Sequence, residues 1–200
     1  MVTNIIEGNP TKKFFIEMIT RDISIEDAII DLLDNSIDGA NRINPSNYSG
    51  LNIYLTVNKD YFEIKDNCGG FSIDTAKRYA FRFGRPEDAP KGNGTVGRFG
   101  IGMKRSLFKI GKNFIVESQS KQDAFKVEVD VDDWSKKVRT IKNEDGTSDI
   151  IDDWSFTYIE IPNMKQNLDA MEDVVKYIYD NIQYAEFNTK SDYCHICGLD

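Results

Sequence analysis

The sequence predicts an α+β fold: a two-layer sandwich in which a mixed, mostly antiparallel sheet carries helices on one face. Helical periodicities cluster at Thr11–Arg21, Ile25–Ala40 and Ile101–Ile110. Strand-like runs pair as sequence neighbours, Leu51–Thr56 with Tyr61–Lys65 and Asn113–Ser118 with Ala124–Val131. A chain of 200 residues that is 40% hydrophobic and 29% charged can bury a sizeable core as one domain.

Each element has its own signal. Phe14, Phe15, Met18 and Ile19 set the spacing of the first helix. Ser24 is an N-cap for the second, and Asp27 three residues on makes a weaker capping box. Val57–Asp60 reads as the turn between the first two strands, and Ile73–Phe83 as a helix. Gly84–Gly100 contains Pro86, Pro90, Gly92, Asn93 and Gly94 and reads as a long mobile loop. Lys136–Asp149 is polar and reads as an exposed connection. Ser155–Ile161 reads as a strand stopped by Pro162. Leu168–Ala185 is expected to form a last amphipathic helix, with Tyr177, Tyr179 and Tyr184 on its packed face. Trp134 and Trp154 are expected in core or edge packing.

Composition excludes some functions. No apolar run approaches the roughly 20 residues that span a bilayer. Met1–Pro10 has no basic region followed by an apolar core, so no secretory signal is expected. Cys68, Cys194 and Cys197 are too few for a disulfide framework, and a reducing, cytoplasmic location is the simplest expectation. The net charge of −8 argues against direct nucleic-acid binding by this domain. Gly84–Arg98 and Lys104–Lys112 are basic-leaning, whereas Asp123–Asp153 is mostly acidic. A substrate carrying phosphates is drawn to the former.

Three segments carry chemistry. In Asp31-Leu-Leu-Asp-Asn35-Ser-Ile-Asp38, the residues Asp31, Asn35 and Asp38 share a helical stripe, with Ile29, Leu32, Leu33 and Ile37 on the opposite side. A solvated surface helix has this look. Asn is a poor helix former, however, and a carboxylate one turn from a carboxamide can hold a divalent ion and orient a water. Asp66-Asn-Cys-Gly69-Gly70-Phe71-Ser72 follows a strand. Its paired glycines permit positive φ and close approach of a flat ligand, and a buried Asp66 can accept from an exocyclic amine. An ordinary strand-to-helix turn capped by Ser72 is the other reading. Gly97-Arg98-Phe99-Gly100-Ile101-Gly102-Met-Lys104 opens a helix whose free N–H groups can bind an anion, with Lys104 adding charge in the first turn. It has neither Rossmann nor Walker spacing.

In this order the three segments resemble the GHKL ATPase superfamily (gyrase, heat-shock chaperone, histidine kinase, MutL), over roughly Ile25–Ile161. The family has an Asn-containing N-box, an Asp-x-Gly-x-Gly box, a lid, a Gly-x-x-Gly-x-Gly box and a strand Thr. The glycine box looks closest to the MutL, MORC and heat-shock-chaperone branches. The resemblance implies a Bergerat-type fold that binds ATP and Mg²⁺. Residues 1–165 would form the ATP-binding domain, with a lid at 84–100. Residues 166–200 would form a C-terminal helix and tail that could lead into a further domain.

The resemblance also assigns roles. Asn35 would ligate Mg²⁺. Asp66 would accept from the adenine amine, and Gly70 would leave room for the ring. Gly97, Arg98, Phe99, Gly100, Ile101 and Gly102 would wrap the phosphates, with Lys104 nearby. Thr157 would join the hydrogen bonds around adenine, and Asp31 would act as the catalytic carboxylate. The chain departs from the pattern at Asp31, where Glu is usual, at Cys68, where the first box Gly is usual, and at Phe156, where Gly usually precedes the strand Thr.

The implied function is a slow ATPase serving as a conformational switch, with an ATP-dependent homodimer as partner and no membrane contact. A protein kinase of the same fold is the runner-up, although the single histidine, His195, sits in an unsuitable context. A non-hydrolysing nucleotide sensor is the third reading. Arg82, Arg85 and Lys91 read as solvated loop charges. Cys194-His195-Ile-Cys197 has half a zinc site's spacing, which a following segment would have to complete.

Overall fold

A computed structural model of the chain describes residues 8–84 and 101–161, with the backbone of Ala185–Glu186. Helix α1 (Lys12–Arg21) is capped by Thr11, whose hydroxyl accepts from the Phe14 N–H. Ser24 caps α2 (Ile25–Ile43) in the same way, accepting from the Asp27 N–H. This helix runs three residues beyond Ala40. Strands β1 (Ile53–Asn58) and β2 (Tyr61–Asp66) form a hairpin, with Leu55 opposite Ile64. The helix expected over Ile73–Phe83 is shorter. A single turn α3 (Ile73–Thr75) passes into a π-helical turn, Ala76–Ala80, in which the Phe81 N–H reaches the Ala76 carbonyl at 3.1 Å.

Helix α4 (Gly102–Ile110) leads to the hairpin β3 (Asn113–Gln119) and β4 (Ala124–Asp130). Two features escape sequence reading. Val131 starts helix α5 (Val131–Lys136) instead of ending β4, because Asp130 caps the Asp133 N–H. The polar stretch after it holds a hairpin, β5 (Val138–Lys142) with β6 (Ser148–Asp152). Both strands are largely exposed, so they show no buried alternation. Strand β7 is confined to Tyr158–Glu160 and pairs with β4. Ala185, the expected end of the last helix, lies in β8 (Ala185–Glu186), which pairs with β2. The rest of Leu168–Ala185 lies outside the described residues.

Every described ladder is antiparallel, in two three-stranded sheets, β1-β2-β8 and β3-β4-β7, plus the β5-β6 hairpin. Helices plus antiparallel sheets make the α+β class that the sequence predicts. Two apolar clusters sit beneath the helices. One joins Ile23, Ala28 and Ile29 to Phe62 and Ile110. The other joins Phe108, Phe114, Phe125, Val127, Val129 and Trp134. Helix α4 contributes to both, through Ile110 and Phe108, and it packs against α2 and α1. That wedge brings the glycine-box helix against the N-box helix.

Trp134 is buried and stacks on Phe156, and Trp154 meets Trp134 edge-on. Lys12 is fully buried beside them. Its ammonium donates to the carbonyls of Trp134, Lys137 and Asp153 and lies over the Trp134 ring. Burial lowers its pKa, and the three carbonyls compensate the desolvated charge. The result ties α1 to α5 and to the base of the β5-β6 hairpin.

Candidate nucleotide-binding site

The site is built on α2. Its buried side carries Ala28, Ile29, Ser36, Asp38, Gly39 and Ala40. Leu32 and Leu33 pack beside the Ile29 cluster as expected, but Ile37 is 45% exposed. The helix turns Ser36 and Gly39 toward the sheet instead, so the apolar stripe is narrower than the spacing suggests. Asn35 is exposed, and its Nδ2 donates to the Asp31 carbonyl at 2.8 Å. That bond leaves Oδ1 without a protein partner among the described residues. Asp34 has its pKa raised, first by burial and then by the charges of Asp31 and Asp38.

Gly39 lets α2 approach the turn after β2. A Cβ there would stand 2.5 Å from the Cys68 carbonyl oxygen. In that turn Gly69 and Gly70 take φ of 94° and 50°, as their pairing predicts. Gly70 is also required for packing, since a Cβ would fall 2.3 Å from the Gln119 carbonyl oxygen. Ser118 holds the turn from β3: its Oγ accepts from the Phe71 N–H and donates to the Phe71 carbonyl. Cys68 is buried in the turn, and burial, with the Asp66 charge, pushes its thiol pKa up.

Asp66 corrects one expectation, because it is exposed rather than buried. It ends β2 at the rim, where the chain leaves the sheet. Its orientation is nonetheless fixed. Oδ2 accepts from Ser36 Oγ at 2.6 Å, and Oδ1 accepts from the Cys68 N–H at 2.9 Å. A carboxylate oxygen has lone pairs to spare beyond one bond. Ser36 is a residue that sequence reading missed. Its signal was a small hydroxyl beside Asn35 on the buried side of the helix.

The start of α4 closes the site. A Cβ on Gly102 would lie 3.7 Å from Asp31 Oδ2, so the last box glycine and the N-box carboxylate are neighbours. Ile101 is the helix N-cap residue and offers no side-chain cap. The cation that meets α2 is Arg105, whose Nη2 donates to Asp31 Oδ2 at 2.7 Å. Lys104 instead turns inward, because its place in the first turn faces the core. It is 3% exposed and donates to the Ala80 carbonyl at 2.6 Å, and burial lowers its pKa to about 8. Gly97, Arg98, Phe99 and Gly100, and all of the 84–100 loop except Gly84, lie outside the described residues.

Residues 23–159, more than half of the chain, match the family model described as histidine kinase-, DNA gyrase B-, and HSP90-like ATPase. The chain belongs to this ATPase family. It therefore carries a GHKL-type ATP-binding domain, which the order of its three motifs already implied. The chain is also 49% identical over 42 residues to an anaerobic ribonucleoside-triphosphate reductase of Haemophilus influenzae. That stretch is 21% of this chain and 6% of the reductase, so the chain spans only a small part of that relative's length.

In this GHKL domain Thr157 stands apart from the other named positions. It lies next to Tyr158, which pairs with Val127, while the end of β3 that touches Gly70 pairs with Ala124. Three residues along β4 separate the two places by about 10 Å. Thr157 is exposed and lines a shallow recess with Glu128, Asp133, Trp134 and Lys137. Among the described residues no hydrogen bond or ion pair joins it to Asp66. The Cys194-His195-Cys197 segment lies outside the described residues. Among those described, no cluster of three His, Cys, Asp or Glu side chains suits a metal, and no helix is long and apolar enough to cross a membrane.

Proposed function

We propose that the domain binds ATP with Mg²⁺ among α2, the Asp66–Gly70 turn and the start of α4, hydrolyses it slowly, and uses the nucleotide as a conformational switch. The meeting of Asp31 with Gly102 carries the reading. A nine-residue helix presents free N–H groups at its N-terminus, which favours phosphate there, and the adjacent carboxylate can orient an attacking water. Asp66 would accept from the adenine amine. Gly97, Arg98, Phe99, Gly100, Ile101 and Gly102 would enclose the phosphates.

Mg²⁺ fits this site through Asn35. It is a hard cation that takes oxygen ligands, keeps waters and leans on substrate phosphates. Asn35 offers one exposed amide oxygen, held in place through its Nδ2. When bound, the ion would neutralise phosphate charge.

Asp31 is one methylene shorter than Glu, so its carboxylate falls about 1.5 Å short of the usual reach. A misplacement on the order of 1 Å costs about a hundredfold in rate, which supports slow turnover. A non-hydrolysing sensor is the second reading, favoured by Asp31 standing where the family usually has Glu. Steady-state phosphate release separates the two. The expected result is slow release by the wild type, none by Asp31→Asn, and retained ATP binding by both. Equal release by wild type and Asp31→Asn removes Asp31 as the catalytic carboxylate.

A further inference from the structure

We infer that Arg105 is a positioning residue for Asp31, holding one carboxylate oxygen so that the other is left to face the reacting water. The inference rests on Asp31 being the water-orienting carboxylate. The protein contacts of the Asp31 side chain converge on Oδ2: Arg105 Nη2 at 2.7 Å, Ser106 Oγ at 3.4 Å, and Gly102 alongside. All three come from the first turns of α4. Oδ1 has no partner among the described residues and is not buried, and the Asp31 side chain is 29% exposed. The carboxylate is therefore anchored on one oxygen and open on the other.

The anchoring suits Arg better than Lys. A guanidinium is planar and permanently charged, so the direction of its N–H bonds is fixed once its plane is fixed. The Arg105 Nε is buried without a partner among the described residues, which puts the base of the group in the α2–α4 interface rather than in solvent. Asp34 and Asp38 share α2 with Asp31, and their charges act on one another. Arg105 counters this acidic face where α4 meets it. Ser106, fully buried, limits the remaining rotation of the same oxygen.

The test uses the full chain with ATP and Mg²⁺, measuring phosphate release and ATP affinity for wild type, Arg105→Gln, Arg105→Lys, Asp31→Asn and the Asp31→Asn/Arg105→Gln pair. Positioning predicts that Arg105→Gln lowers kcat by about tenfold to a hundredfold, while KM and Kd for ATP stay within about twofold. Arg105→Lys should recover part of kcat, and free guanidinium should restore part of it to Arg105→Gln. Adding Arg105→Gln to Asp31→Asn should leave ATP affinity within about twofold of Asp31→Asn alone, because Arg105 acts through Asp31 and not on the phosphates. A raised KM and Kd with unchanged kcat would make Arg105 a phosphate ligand and overturn the inference. An unchanged or raised kcat in Arg105→Gln overturns it as well. Wild-type turnover by Asp31→Asn is a separate failure, of the reading beneath it, and it shows whatever Arg105 does.

Discussion

Ser36 on α2 donates its hydroxyl to Asp66 at the end of β2, across 2.6 Å. The bond joins the N-box helix to the residue proposed to choose the base. Three residues along, Gly39 lies against the Cys68 carbonyl in the same turn. The helix and the turn are thus docked at two points.

Gly39→Ala tests that docking. Alanine in a helix interior gains about 1 kcal/mol over glycine. Here the added Cβ would meet a backbone oxygen at 2.5 Å, which no rotamer relieves. Overpacking costs about 1–3 kcal/mol, so the clash should outweigh the propensity gain. Urea unfolding should show a net loss, while Gly8→Ala, with nothing within 4 Å of its Cβ, should change stability little. A Gly39→Ala protein as stable as wild type would mean that the helix and turn are not in close contact.

Much of this site was readable in the sequence. The cap at Ser24, the Gly69–Gly70 turn and the order of motifs follow from residue type and spacing, whereas Thr11 reads as part of the first helix rather than as its cap. What was missed depends on the third dimension. Lys104 and Arg105 are adjacent cations, and nothing local says which one faces the core. Their helical phase relative to α2 decides it, through the packing of Phe108 and Ile110. The β5-β6 hairpin was hidden because exposed strands carry no apolar alternation. Thr157 matched a motif by position, but the pairing of β7 with β4 sets where it lies.

Lys104 gives a pH dependence with a definite sign. Its pKa falls from 10.5 in the unfolded chain to about 8 in the fold. Below about pH 8 both states hold the proton, and the burial cost is present in full. Between about 8 and 10.5 the unfolded chain binds more protons, so stability rises with pH through that window. The full effect is about 3 kcal/mol. Denaturation of wild type and Lys104→Met should show their difference moving in favour of wild type between pH 7.5 and pH 9.5, two points that span about the lower half of the window. A difference that stays constant with pH would contradict a buried, protonated Lys104.

Asn35→Ala probes the metal. With one amide oxygen as the protein's contribution, its loss should remove the Mg²⁺ dependence of ATP binding while Mg²⁺-free binding persists. Titrations with and without Mg²⁺ check this. A variant that still needs Mg²⁺ as wild type does would shift the ligand to Asp31 or Asp38.

Calorimetric titration of ATP and GTP into wild type and Asp66→Asn tests the central claim most directly, that the Asp66 turn holds adenine. A carboxylate accepts from the adenine amine and repels the carbonyl that guanine presents there. Wild type should bind ATP and discriminate strongly against GTP, and Asp66→Asn should lose about 1.5–3 kcal/mol of ATP affinity, the usual worth of a charged hydrogen bond. Equal affinity of the wild type for ATP and GTP, or an Asp66→Asn protein that binds ATP as well as wild type, would contradict it.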